Sequence, residues 1–252
     1  MPDRKGLKER DKSEMVACYT RWFRLAKILP CRAIIFDFDG TLADSMPFLE
    51  SIGVEVMMKY YGIPREEATK RYRTTTGLPY EHQIRSNFPN HEQNEAAIAE
   101  FEKLKIDRIY EQRLFPDTVL ALTTLREMGI DLFVSSSTFQ PTIREYFSRR
   151  SLLPFFRDIM GYHPGFEKGA DHFRYVADKY QIPMEDVIFV GDSLKDYERS
   201  KGFCRFIGVT GVFQERDFRA AHHKGFVVSQ LSEVPPLVEL KRPQMELVHS
   251  DN

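Results

Sequence analysis

The segment Ala33 to Asp44, AIIFDFDGTLAD, constrains the chain more than any other, because four apolar residues stop abruptly at two carboxylates one residue apart. Ala33, Ile34, Ile35 and Phe36 show no polar alternation, the pattern of a strand buried on both faces at the centre of a parallel sheet covered by helices. In open α/β sheets, ligands bind at the carboxyl ends of such strands. Asp37 and Asp39 emerge at that end. Gly40 then lets the chain turn tightly and a substrate group approach the backbone.

The two carboxyl groups suit different work. One can attack phosphorus as a nucleophile, and the other can protonate a leaving oxygen and later deprotonate water. Taken alone, the string also reads as an Asp-Gly turn that merely ends a strand. The rest of the chain favours chemistry, because the pattern recurs. Asp131 to Ser137, DLFVSSS, is an apolar run ending in three hydroxyls, and Asp186 to Ser193, DVIFVGDS, is another ending in Gly-Asp-Ser with Asp196 close behind. Three such strands would set their polar ends along one edge of one sheet. Between the last two lies Lys168, followed by a helical pattern through Phe173 and Val176 to about Tyr180.

These four segments, in this order, resemble the haloacid dehalogenase-like hydrolase superfamily in its phosphatase branch, with phosphoglycolate phosphatase and β-phosphoglucomutase as the nearest kinds. DFDGTLADS at Asp37 to Ser45 matches the first motif, Ser135 the second, Lys168 the third and GDSLKD at Gly191 to Asp196 the fourth. The resemblance implies a Rossmann-like, doubly wound parallel sheet with an inserted all-helical cap. It also implies that Asp37 attacks phosphorus, that Asp39 is general acid and base, that Ser135 hydrogen-bonds a phosphoryl oxygen, and that Lys168 offsets the charge around Asp37. Phe38, Gly40, Thr41 and Ser136 would complete the phosphate cradle. The implied cofactor is Mg²⁺, whose preference for oxygen ligands matches Asp37, the Asp39 carbonyl, Asp192 and Asp196, the last in a supporting position.

Alternatives stay open at several positions. Ser136 or Ser137 could be the functional hydroxyl, Lys179 and Lys195 compete with Lys168 by composition, and Asp192 could simply cap a helix starting near Leu194. A phosphosugar mutase keeps both aspartates and is the rival enzyme. A non-catalytic binding module is the other alternative. Relatives that displace halide or cleave carbon-phosphorus bonds depart from Asp at the position of Asp39, so phosphoester chemistry is expected.

Residues 45–113 interrupt the strand-helix alternation. Helical spacing is expected from Phe48 to Tyr61, where Gly62 and Pro64 stop it, then over Arg65 to Tyr72, Tyr80 to Asn87 and Glu92 to Arg113. This segment is the expected cap, between core segments 31–44 and 114–235. The polar loop from Arg73 to Pro79 is the candidate for substrate contact, with Arg73, Thr76, His82 and Arg85 as the side chains that could meet an anionic substrate.

The chain is long enough, at 252 residues, for such a core plus a small second domain, and its net charge of −1 offers no basic field for nucleic acid. A small phosphorylated metabolite is the expected partner, with the chain a monomer or homodimer. Cys18, Cys31 and Cys204 form neither a paired framework nor a zinc pattern, so a cytoplasmic setting is expected. No apolar run is long enough to span a bilayer, and the charged start is not a secretory signal. Residues 1–30 form an extension, charged at first and then amphipathic over 15–29 with Trp22 and Phe23 among basic residues. A membrane or partner contact is the alternative there to packing on its own core. Residues 236–252 are expected to form a loose tail, and His222 and His223 to lie on the surface.

Overall fold

A computed structural model describes residues 28–242. The first strand, β1 (Leu29–Cys31), leads directly into β2 (Ala33–Phe36), whose four residues are fully buried. The helices that follow are α1 (Met46–Tyr61), α2 (Arg65–Thr74), α3 (Tyr80–Asn87) and α4 (Asn94–Arg108). The chain continues through α5 (Thr118–Glu127), β3 (Asp131–Phe139), α6 (Gln140–Ser148), β4 (Asp158–Tyr162), α7 (Ala170–Tyr180) and β5 (Val187–Gly191). It ends with α8 (Leu194–Ser200), β6 (Arg205–Val209), α9 (Glu215–Ala220), β7 (Val227–Val228) and β8 (Val238–Leu240).

Six of the strands form one parallel sheet in the order β4-β3-β2-β5-β6-β7, with β2 central as its unbroken apolar run requires. Side chains alternate across the sheet. Ala33, Ile35, Phe133 and Phe189 pack on one side with Phe173 and Val176 of α7. Ile34, Phe36, Val134 and Val190 pack on the other. Phe36 stands opposite both Val134 and Val190, so Asp37, Ser135 and Gly191 each come one step beyond the aligned apolar run. The three sequence motifs therefore end at one level.

The helical segment leaves and re-enters the core through two strands of chain that lie side by side. Asp44 N–H donates to Arg113 O at 2.9 Å and Phe115 N–H to Leu42 O at 3.1 Å, closing the base of the cap. Within the cap, α1 stops where Gly62 adopts φ 63° and its N–H returns to Met58 O. Tyr80 stacks on Phe101 with ring centroids 3.7 Å apart, tying α3 to α4. The last cap helix is shorter than its sequence spacing suggested, since α4 ends at Arg108 and a single 3₁₀ turn, Ile109–Glu111, follows.

Two ends differ from expectation. Leu29 opens a strand instead of closing a helix, and β1 pairs in parallel with β8, drawing residues of the expected tail against the expected extension. Both strands have three residues, too few to show a period, and Pro30 within β1 argues against a strand by composition. The remainder of the expected helix over 15–29 lies outside the described residues. His222 is exposed, but His223 is buried against Tyr197 and Phe206 with Nε2 3.1 Å from Phe226 O. Among the described residues no helix is long and apolar enough to cross a membrane.

Candidate active site

Asp37 follows β2 and is almost wholly buried, with its N–H held by Val190 O at 2.8 Å. Its Oδ1 lies 2.7 Å from Lys168 Nζ, and the same ammonium lies 2.6 Å from Asp196 Oδ1. Of the competing lysines, Lys179 pairs with Asp158 and Lys195 with Glu198. Lys168 alone of the three reaches the carboxyl edge.

The burial of this cluster decides its electrostatics. Desolvation pushes the Asp37 carboxyl up to about 7, against the pull of Lys168. Asp192 rises well above the ordinary carboxylate range through burial and then through the charges of Asp37 and Asp196. Burial alone would lower Lys168, but Asp196 and Asp37 outweigh it and hold the ammonium above the usual lysine value. Three carboxyl groups thus converge around Lys168, with Arg199, 3.6 Å from Asp196 Oδ1, as the second cation. That arrangement lacks positive charge.

Its oxygens fit a hard divalent ion. Ligand atoms of Asp37, Asp192 and Asp196 lie within 4.8 Å of one another, and Asp192 Oδ2 is buried without a hydrogen-bond partner among the described residues. An all-oxygen donor set of this kind suits Mg²⁺. Gly40, at φ 81°, brings the turn so close that a Cβ there would collide with Asp192 Oδ2 and Met46. Asp196 is already engaged, since Ser193 Oγ donates to its Oδ2 at 2.8 Å and Lys168 meets its Oδ1. The cap of α8 is Ser193, whose hydroxyl accepts from Asp196 N–H, so Asp192 has no capping duty.

Asp39 occupies a different environment. Ser45 Oγ donates to its Oδ1 at 2.6 Å and Thr138 Oγ1 to its Oδ2 at 2.8 Å. Neither hydroxyl was singled out from sequence. Ser45 closes the first motif, and Thr138 follows the triple serine.

The hydroxyl run resolves into three distinct roles. Ser135 is fully buried, with Oγ 2.8 Å from His172 Nδ1, and His172 is kept neutral because burial and Lys168 push it down to about 3. Ser136 Oγ accepts from Thr138 N–H at 2.9 Å. Ser137 lines the cavity beside Asp37 and Lys168, and its hydroxyl has no partner among the described residues. The Ser135 hydroxyl thus has a protein partner in His172, whereas that of Ser137, two residues on, has none among the described residues. Period-two alternation in a regular strand would put both on one side, so sequence alone cannot choose between them; β3 is irregular between Ser135 and Phe139.

The phosphate cradle expected from the first motif also divides. Phe38 points into the core, edge-on to Tyr146 and Phe147 at 4.7 and 5.5 Å. Thr41 is buried and lines a separate cavity with Asp117 and Thr210. Their side chains do not line the cavity that Asp37 does.

Over that cavity, of about 70 Å³, sits the cap. Thr76 and Gly77 of the expected loop reach it, Thr76 Oγ1 donating to Tyr72 O at 3.2 Å. Arg199 of α8 donates to Gly77 O at 2.8 Å while lying 3.6 Å from Asp196 Oδ1, joining cap loop and core. The cap arginines do not enter. Arg73 makes a two-pronged pair with Glu50, and Arg85 pairs with Glu81 and Glu95. His82 is likewise absent from the cavity walls. The cap cation that does line it is Lys105, which sequence reasoning passed over although a signal existed: Ala97, Phe101 and Lys105 recur four residues apart on the buried face of α4.

A doubly wound parallel α/β core with an inserted helical cap, carrying carboxylates and an ammonium at its carboxyl edge, is the architecture of a hydrolase of the haloacid dehalogenase-like kind. The family model described as haloacid dehalogenase-like hydrolase matches residues 34–209, and the chain belongs to that family. It is 26% identical over 218 residues to a haloacid dehalogenase-like hydrolase domain-containing protein of Arabidopsis thaliana, covering 82% of this chain and 84% of that one. It is 28% identical over 196 residues to a phosphoglycolate phosphatase of Neisseria meningitidis, covering 73% and 83%. A haloacid dehalogenase-like hydrolase family protein of Streptococcus pneumoniae shares the fold with a TM-score of 0.70 at 24% identity, over 81% of this chain and 96% of that one. Within the family the chain stands with the phosphatases.

Proposed function

We propose that the chain is a Mg²⁺-dependent phosphomonoesterase that hydrolyses a small phosphorylated metabolite, of the phosphoglycolate kind, through an aspartyl-phosphate. The observation that carries the reading is the buried Asp37 carboxylate paired with Lys168 at 2.7 Å beside the unpartnered Asp192 oxygen. Phosphoryl transfer requires positioning and charge neutralisation more than covalent ingenuity, and this set supplies both.

In the proposed reaction an Asp37 oxygen attacks phosphorus in line as the ester bond breaks. Asp39, steadied by Ser45 and Thr138, gives its proton to the leaving alcohol and then takes one from the water that attacks the acyl phosphate. Lys168 donates to a phosphoryl oxygen and limits the negative charge around Asp37, and Ser137 donates to another. Asp37, Asp192 and the Asp39 carbonyl would hold Mg²⁺, whose charge neutralises the phosphoryl oxygens, while Asp196 keeps Lys168 and the Asp192 loop in place.

Phosphate release from a panel of small phosphomonoesters with Mg²⁺, and without a sugar bisphosphate, tests the reading. Steady release supports the phosphatase, whereas transfer between two positions of a phosphosugar, dependent on a bisphosphate, would show a mutase. A second outcome separates the serines. Ser137→Ala is expected to lower kcat/KM by about 10- to 100-fold as one donor to the transferring group is lost. Ser135→Ala is expected to act through stability, because it removes a partner of buried His172. Steady-state kinetics beside thermal melts distinguish the two, and the reverse order would return the role to Ser135.

A further inference from the structure

We propose that Lys105 is the cap residue that selects the substrate, by pairing with a carboxylate two or three bonds from the ester oxygen. This rests on the phosphatase reading and names the residue that sets its specificity. Lys105 projects from the buried face of α4, its side chain only 10% exposed, into the cavity that also contains Asp37 and Asp39. Its ammonium makes no hydrogen bond among the described residues. The nearest carboxylate oxygen is Asp39 Oδ2 at 4.0 Å, and that oxygen already accepts from Thr138. Glu102 lines the same cavity one turn earlier without forming an ion pair with Lys105. An ammonium this buried, with only a long 4.0 Å contact to a carboxylate that is already hydrogen-bonded, is poorly compensated and has donors left for an anion on a ligand.

The neighbouring polar groups of the cap are committed. Gln83 bonds Leu78 O and Thr75, Thr76 bonds Tyr72 O, and Arg73 and Arg85 are held by glutamates outside the cavity. Tyr80 and Phe101 supply apolar wall for a short methylene chain. The distance sets its length. An ester oxygen hydrogen-bonded to Asp39 lies about 2.8 Å from that carboxylate, and an anion paired with Lys105 lies about as far from the ammonium. Groups 4.0 Å apart on the protein thus address two ends of a very short substrate.

The test compares the full chain on two isosteric esters with Mg²⁺, 2-phosphonooxyacetate and its uncharged amide, 2-phosphonooxyacetamide. The wild type is expected to favour the carboxylate in kcat/KM by about 30-fold or more, chiefly through KM. Lys105→Met is expected to cut that ratio to within about 3-fold, with Lys105→Arg restoring part of it. Thermal melting is an independent readout, and Lys105→Met is expected to melt no lower than wild type, because it removes a buried charge whose carboxylate partner lies as far as 4.0 Å away and stays hydrogen-bonded to Ser45 and Thr138 without it. Equal losses on both esters, or a lowered melting temperature, would show that Lys105 supports the cap instead. If the wild type hydrolyses an aryl phosphate but does not prefer the carboxylate, the substrate class is wrong while the phosphatase stands. If it hydrolyses no ester, the phosphatase reading itself falls.

Discussion

Asp37→Asn is expected to reduce phosphate release by at least about a thousand-fold while leaving the fold intact, since an amide of the same shape cannot form the acyl phosphate. The substitution is nearly isosteric, and the Val190 contact to the residue 37 backbone does not involve the side chain. A second consequence concerns pH. Folding raises the Asp37 carboxyl from the ordinary 3.8 to about 7, chiefly through burial. The folded chain therefore binds that proton more tightly than the unfolded chain does. The group's contribution to stability is complete below about pH 4 and is lost as the pH rises through about 7. In a chelator, then, the melting temperature of Asp37→Asn is expected to gain on wild type as the pH increases across that window. Wild-type turnover by the variant, or a gap that narrows with rising pH, contradicts this assignment.

Lys168→Met is expected to lose both stability and activity. Lys168 is the cation shared by Asp37 and Asp196, and all three side chains are 6% exposed or less. Removing one partner of a buried ionic set leaves the others uncompensated, which typically costs about 3–5 kcal/mol. Burial raises Asp37 and Asp192 already, so the variant is expected to take up protons or to seek another cation. Added Mg²⁺ should accordingly recover more melting temperature in Lys168→Met than in wild type, by linkage to the folded state. Activity should stay at least about a hundred-fold down, because Mg²⁺ does not replace a donor positioned at the phosphoryl group. A variant that melts and turns over like wild type would remove Lys168 from the site.

The central sheet was legible in the sequence because continuous apolar runs before Asp37, Ser135 and Gly191 report burial on both faces directly. The cap helices were legible for a similar reason, and the sequence-based bounds of Tyr80 to Asn87 coincide with the helix observed. What escaped depends on partners distant in sequence. Ser135 and Ser137 are equivalent by strand alternation, and only His172, brought up on α7, gives one a partner and leaves the other without one among the described residues. Asp192 and Ser193 both suit a helix cap, and the choice of Ser193 leaves Asp192 available. Arg73 looked suited to an anion but has Glu50 across the cap, while Lys105, masked by its place in a charged helix, is the residue that turns inward. The β1–β8 pair joins segments at opposite ends of the chain and offers no local pattern at all.

Acid quenching during turnover, followed by mass spectrometry of the peptide containing Asp37, bears most directly on the proposed chemistry. The expected result is a phosphoryl group on Asp37 that is lost in base and is absent from Asp37→Asn. A phosphoryl group on another residue, or rapid turnover with none on the chain at any quench time, would contradict the account.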